Sequence, residues 1–182
     1  MIATQASADQ DHVEVVIESD PAIPDRTAFL LGQGPDPFPA LLSPAERLAS
    51  AGAELLVMPC NTAQVFVERL ETAVGLPFVR WTDSALDEAA RVNRPPIVIL
   101  ATRGTLQADI YGRLLAARGM AYLLPSDEEI ETVMGCIYDY KATNRSTRAS
   151  QGALVNVARA LFERGARSYL LALSLIHISE PT

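Results

Sequence analysis

Two cysteines, two histidines and one tryptophan are all that this 182-residue chain holds of those types. Cys60 and Cys136 lie far apart and cannot build the disulfide framework of a small secreted domain. With His12 and His177 as its imidazoles, and no His-x-His or Cys-x-x-Cys spacing, the chain lacks the pattern of a structural zinc site. Basic residues are also scarce: 15 Lys and Arg stand against 22 Asp and Glu, a net charge of −7. No global positive field exists to hold nucleic acid or an anionic membrane. No apolar run reaches the roughly 18 residues of a membrane-spanning helix. The opening "MIATQASADQDH" has neither the basic start nor the apolar middle of a signal peptide. "LGQGPDPFP" (31–39) contains a G-x-G, but its prolines deny it the helix that a dinucleotide fingerprint needs. These absences lead to the expectation of a cytoplasmic protein with no nucleic-acid and no membrane partner.

What is present is an ordinary globular balance, 49% hydrophobic and 20% charged, in a chain long enough for one large domain or two small ones. Short apolar runs at 13–17, 54–58, 77–80, 96–100, 121–124 and 168–172 predict strands. They are continuous rather than alternating, as in strands covered on both faces. Helices are predicted over 62–74, 83–92, 105–118, 127–142 and 147–165. A further one is expected from "SPAE", with Ser43 as N-cap, Pro44 in the first turn and Gly52 as the stop. Strand–helix alternation implies an α/β fold with parallel sheets and right-handed crossovers.

Ligands of such sheets bind beyond the carboxyl ends of the strands. "ELLVMPCNTAQ" (54–64) puts Cys60 there, where a strand gives way to a helix. Unpaired N–H groups at a helix start stabilise negative charge, which suits a thiolate. By position alone, a reactive thiol and a small buried hydrophobe are equally served. The donors of Asn61 and Thr62 favour the first.

"MPCNTA" (58–63) resembles the first cysteine motif of the aspartate/glutamate racemase family. "DQDH" (9–12), "IPDRTA" (23–28), "GPDP" (34–37), "LATRGT" (100–105) and "IYDYKA" (137–142) resemble further blocks of its amino-acid racemase branch, in the same order. The similarity runs from about residue 4 to Ala172. It implies two similar parallel-sheet α/β halves, 1–82 and 83–172, with the active site in the cleft between them. It implies racemisation of aspartate or glutamate without pyridoxal phosphate, metal or any other cofactor. Two cysteines on opposite faces of the substrate exchange the roles of base and acid. By resemblance Cys60 is one of them. Arg26 binds a carboxylate with its planar fork. Asn61, Thr62, Thr102 and Thr105 hold the α-carboxylate and amino group, and Lys141 meets the distal carboxylate. The partner is thus a small acidic amino acid, and the family's habit of dimerising allows a homodimer.

The residues taken singly have plainer readings. Arg26 follows Asp25 and could form a surface pair. Lys141 could complement a helix dipole. Thr102 and Thr105 could be turn and N-cap residues. Maleate isomerase, hydantoin racemase and arylmalonate decarboxylase compete within the wider superfamily, though "IPDRTA" and the lysine of "YKATN" favour acidic amino acids. A non-catalytic small-acid binding module is the alternative of a different class. A cysteine hydrolase would need His12 as its base, and His12 lies away from the carboxyl ends.

Two departures from the family stand out. Gln64 occupies a position where histidine commonly follows "CNTA", and Pro44 falls where the family runs unbroken helix. Cys136, among Met134, Ile137 and Tyr138, reads as a packing residue rather than as the partner of Cys60. The family's second cysteine follows the strand at 168–172, in a block resembling "GCTE". Here "LSLIHISEPT" (173–182) follows instead, and it resembles translated read-through of a library adapter. The expectation is therefore a fragment cut at both ends, with a non-native tail at 173–182, inactive and prone to aggregate as it stands.

Overall fold

The computed structural model describes residues 7–92, 94–143 and 145–172. Its central element is a parallel three-stranded sheet of β1 (Ile97–Ala101), β2 (Tyr122–Leu123) and β3 (Ser168–Ala172), in the order β2-β1-β3. All five residues of β1 are buried, as a continuous apolar run requires. Alternation divides them between two faces. Ile97, Ile99 and Ala101 pack with Leu86 of α4 (Trp81–Val92) and with Tyr111 and Leu115 of α6 (Ile110–Ala117). Val98 and Leu100 pack with Ile130, Val133, Met134 and Ile137 of α7 (Asp127–Thr143) and with Val157 and Leu161 of α8 (Arg148–Glu163). Each fully buried aliphatic side chain stabilises by about 1.5–3 kcal/mol. The sheet is thus sandwiched between helices, and the α/β expectation holds.

A third cluster lies earlier in the chain. Leu41 and Ala45 of α2 (Phe38–Ser50) meet Leu56, Ala63, Phe66, Phe78, and Val67 and Leu70 of α3 (Val67–Val74). Here the strand expectations fall short. Residues 54–58 and 77–80 form one parallel bridge, Leu56 with Phe78. Leu56 is 3% exposed, but Leu55 is 54% and Val57 61% exposed, so this segment is not covered on both faces. Residues 13–17 form no strand either. Val13, Val15, Val16 and Ile17 are exposed, and among the described residues the segment pairs with no strand. β-branched composition favours a strand only where an edge is available to receive it.

Helix boundaries also moved. α2 begins at Phe38, with Pro37 as N-cap and Pro39 in the first turn, and Pro44 lies inside it. Ser43 is not a cap; its hydroxyl receives Arg47 Nη1 at 2.6 Å. The expected helix at 62–74 is a 3-10 turn over Thr62–Phe66 continued by α3. The expected helix at 105–118 is two helices, α5 (Arg103–Gln107) and α6, broken where Asp109 takes φ +50°. One short helix, α1 (Arg26–Leu30), was not anticipated. Residues 173–182 lie outside the described residues.

Candidate active site

Cys60 stands where the bridged segment at Leu56 ends and the 3-10 turn begins. Pro59 has no N–H with which to extend the pairing, and the Cys60 N–H turns back to the Met58 carbonyl at 2.7 Å. Gln64 staples this turn from below, its Nε2 donating to the carbonyls of Met58 (3.0 Å) and Cys60 (3.4 Å). That is the work done by the residue standing where the family commonly has histidine. Cys60 is half-buried at the wall of a cavity of about 230 Å³. The same cavity is lined by Arg26, Asn61, Thr62, Thr102 and Lys141. Six of the seven expected site residues therefore converge, from 26 to 141 along the chain. Asp25, the apolar side chain of Ile137, and Ala172 at the carboxyl end of β3 also line it.

Arg26 is brought in by α1. Asp25 caps that helix, Oδ1 accepting from the Ala28 N–H at 3.0 Å. Arg26 does not pair with it. Its Nη1 donates to the carbonyls of Pro24 (3.0 Å) and Ile23 (3.4 Å), which aim the guanidinium without neutralising it. Lys141, in the last turn of α7, has its ammonium 5.7 Å from the Tyr138 ring centre. Among the described residues neither cation has a carboxylate at ion-pair distance. Two uncompensated cations at one cavity are matched to an anionic ligand.

The three threonines form a closed triangle. Thr62 Oγ1 lies 2.9 Å from Thr102 Oγ1 and 3.0 Å from Thr105 Oγ1, and the third side is 3.0 Å. Thr102 is also the N-cap of α5, accepting from the Thr105 N–H at 3.2 Å. Thr105 is 1% exposed and does not line the cavity; it closes the triangle from behind. Thr102 thus serves the cap and the cavity together.

Sequence reasoning missed two supports. Tyr111, buried on α6, donates its hydroxyl to Asn61 Oδ1. This fixes the Asn61 amide with its N–H end free for a ligand. Burial pushes the Tyr111 phenol up to about 12, so it remains a donor. Gly104 is the other. α1 approaches α5 so closely that a Cβ at Gly104 would lie 2.9 Å from both Thr27 Cα and Oγ1. Its signal was the glycine in "TRGT"; Tyr111 reads from sequence as a core aromatic.

Cys136 is buried between α7 and α8, its thiol donating to the Ser150 carbonyl at 3.6 Å. Burial and the Asp139 charge raise that thiol. It packs, as expected, and does not line the Cys60 cavity. The expected place of a second acid–base group, after Ala172, lies outside the described residues. Among those residues no three His, Cys, Asp or Glu side chains cluster as a metal site would need, and no helix is long and apolar enough to cross a membrane.

Comparison with known proteins gives a consistent result. A family model described as Asp/Glu/hydantoin racemase matches residues 2–172. The broad specificity amino-acid racemase RacX of Bacillus subtilis (strain 168) is 29% identical over 80 residues, 44% of this chain and 35% of RacX. The match thus spans about a third of that curated relative. Among solved structures, an aspartate racemase of Picrophilus torridus superposes with TM-score 0.82 at 24% identity, covering 97% of this chain and 73% of that one. An aspartate racemase homologue from Pyrococcus horikoshii OT3 superposes with TM-score 0.63 at 22% identity, covering 80% and 64%. At such identities the superpositions speak for the fold.

Proposed function

This chain belongs to the Asp/Glu/hydantoin racemase family, and from that premise we propose that its cavity binds aspartate or glutamate and that Cys60 exchanges the α-proton of the bound amino acid. The observation that carries this reading is the meeting of Cys60 with two cations, Arg26 and Lys141, neither ion-paired among the described residues, on one small cavity.

The α-proton of an amino acid is only weakly acidic, so its removal needs both a placed base and stabilised charge. A Cys60 thiolate takes the proton from one face of Cα. Negative charge then spreads into the α-carboxylate, where Arg26, the free N–H end of Asn61 and the cavity threonines receive it. Lys141 holds the distal carboxylate at the mouth. The wall at Ile137 limits water at the reacting carbon. Inversion requires a second acid on the opposite face. The resemblance puts that acid, a second thiol, after the carboxyl end of β3, where residues 173–182 of this sequence hold no cysteine, so Cys60 alone would exchange the α-proton without inverting the carbon. The reaction involves no cofactor in this scheme.

The test is chirality and isotope content together. L-aspartate and L-glutamate are incubated with the chain in deuterium oxide, then followed by proton NMR and chiral chromatography. Deuterium at Cα, lost in Cys60→Ser, supports the base assignment. Appearance of the D-enantiomer adds the second acid. Binding without exchange would instead favour a non-catalytic small-acid module. A hydantoin or maleate that turns over in place of the amino acids would refute the substrate class.

A further inference from the structure

Resting on the acidic amino-acid reading, we propose that Asp25 is a specificity residue, its carboxylate receiving the α-ammonium and so selecting an amino diacid over a plain diacid.

The polar inventory of the cavity leads there. Aspartate and glutamate each bring two carboxylates and one ammonium. The described lining residues carry the mirror set: two cations, Arg26 and Lys141, and one carboxylate, Asp25. An ammonium has three donors and no acceptor, so its partner must accept. The other side-chain acceptors are neutral and already engaged. Asn61 Oδ1 takes the Tyr111 hydroxyl. The three threonine hydroxyls have three protons for three sides of their triangle, and Thr102 Oγ1 also accepts the Thr105 N–H. Arg26, Lys141 and the Asn61 NH2 group offer donors only. Asp25 accepts one bond, from the Ala28 N–H through Oδ1, and its second oxygen makes none among the described residues. The capping bond holds the carboxylate still while leaving its charge at the cavity.

The neighbouring element agrees. On α7, burial, with the charges of Asp25 and Glu131, raises the Tyr138 phenol. Asp25 lines the same cavity as Ile137 and Lys141 of that helix. A ligand spanning Arg26 and Lys141 shares the cavity with the Asp25 carboxylate. A plain diacid would meet that carboxylate as a like charge; an amino diacid meets it with its ammonium.

Helix capping and ammonium binding can be separated, because asparagine and serine cap as well as aspartate but carry no charge. Calorimetric titration of the full chain with L-aspartate and with succinate, which differ by the amino group, gives the readout. The wild-type chain should prefer aspartate by about tenfold, the factor of one charge-assisted hydrogen bond at a half-open site. Asp25→Asn should bring the ratio near one, weakening aspartate and tightening succinate, with an unchanged melting temperature. Asp25→Ser should do the same. A ratio unmoved in both variants, with both ligands still bound, overturns the Asp25 assignment alone. A wild-type chain that binds neither ligand overturns the acidic amino-acid reading, and this one with it.

Discussion

Gly104→Ala makes the most exacting use of the geometry. The new methyl would sit 2.9 Å from Thr27 Cα and Oγ1 and 3.1 Å from Thr27 Cβ. Ordinary contact begins near 3.4 Å, so α1 must retreat from α5 by about 0.5 Å, more if the strain is fully relieved. Two of the obstructing atoms belong to the buried Thr27 side chain and one to its backbone, so no flexible tip can swing away. Overpacking of this kind costs about 1–3 kcal/mol. The retreat carries Arg26, the next residue, away from Thr102 across the cavity. Displacements near 1 Å can cost about a hundredfold in a positioned site; for half that, aspartate binding should weaken by about tenfold. Gly135→Ala is the control. It also lies within a helix, but nothing stands within 4 Å of its added Cβ, so it should be neutral or stabilise by up to about 1 kcal/mol. Thermal melting and aspartate titration of both variants check the account. A Gly104→Ala chain that melts and binds like the wild type would refute the close approach of α1 and α5.

Other expectations follow from single contacts. Tyr111→Phe removes the donor on Asn61 Oδ1 and leaves a buried amide oxygen unpaired, at a cost of about 1–3 kcal/mol in stability; aspartate affinity should fall with it, as titration would read. The raised Tyr111 phenol also sets a pH window. Its folded value, about 12, exceeds the ordinary 10, so its contribution is full below 10 and is lost as pH rises towards 12; the alkaline loss should be smaller in Tyr111→Phe. The Phe78 N–H and Arg80 hold Glu71 below its ordinary value, so Glu71→Gln should destabilise the fold at neutral pH and converge with the wild type as pH falls through the carboxylate range. Cys136→Ala should leave α-proton exchange intact while Cys60→Ser abolishes it, since the two thiols face different environments.

Much of the second part of the chain was legible because its elements are buried on defined faces. β1 and β3 fell within one residue of their apolar runs, and α7 and α8 within two residues of theirs, because burial and period coincide there. The segments at 13–17 and 54–58 carry the same composition without the same covering, and composition cannot reveal whether a neighbouring edge exists. α2 was placed late because "SPAE" satisfies the local rules of a helix start. Pro37 and Pro39 satisfy them as well, with the N-cap six residues earlier, and packing of Leu41 into the early core decides between them. Of the site, the lining residues were legible through motif resemblance, while their supports were not. The Asn61–Tyr111 bond joins residues 50 apart, and the threonine triangle depends on how the 3-10 turn meets α5. Such pairings arise in the folded chain and leave no local signature.

The most direct test is protection of Cys60 from alkylation. The chain is treated with iodoacetamide in the presence and absence of aspartate, and labelling at each cysteine is followed by mass spectrometry. Cys60, open to the cavity, should label and be shielded by aspartate in a saturable way, while Cys136 stays unlabelled in the native fold. The shielding should vanish when Arg26 and Lys141 are both replaced by Met. Labelling of Cys60 at a rate indifferent to aspartate would contradict the claim that the thiol and the two cations form one ligand site.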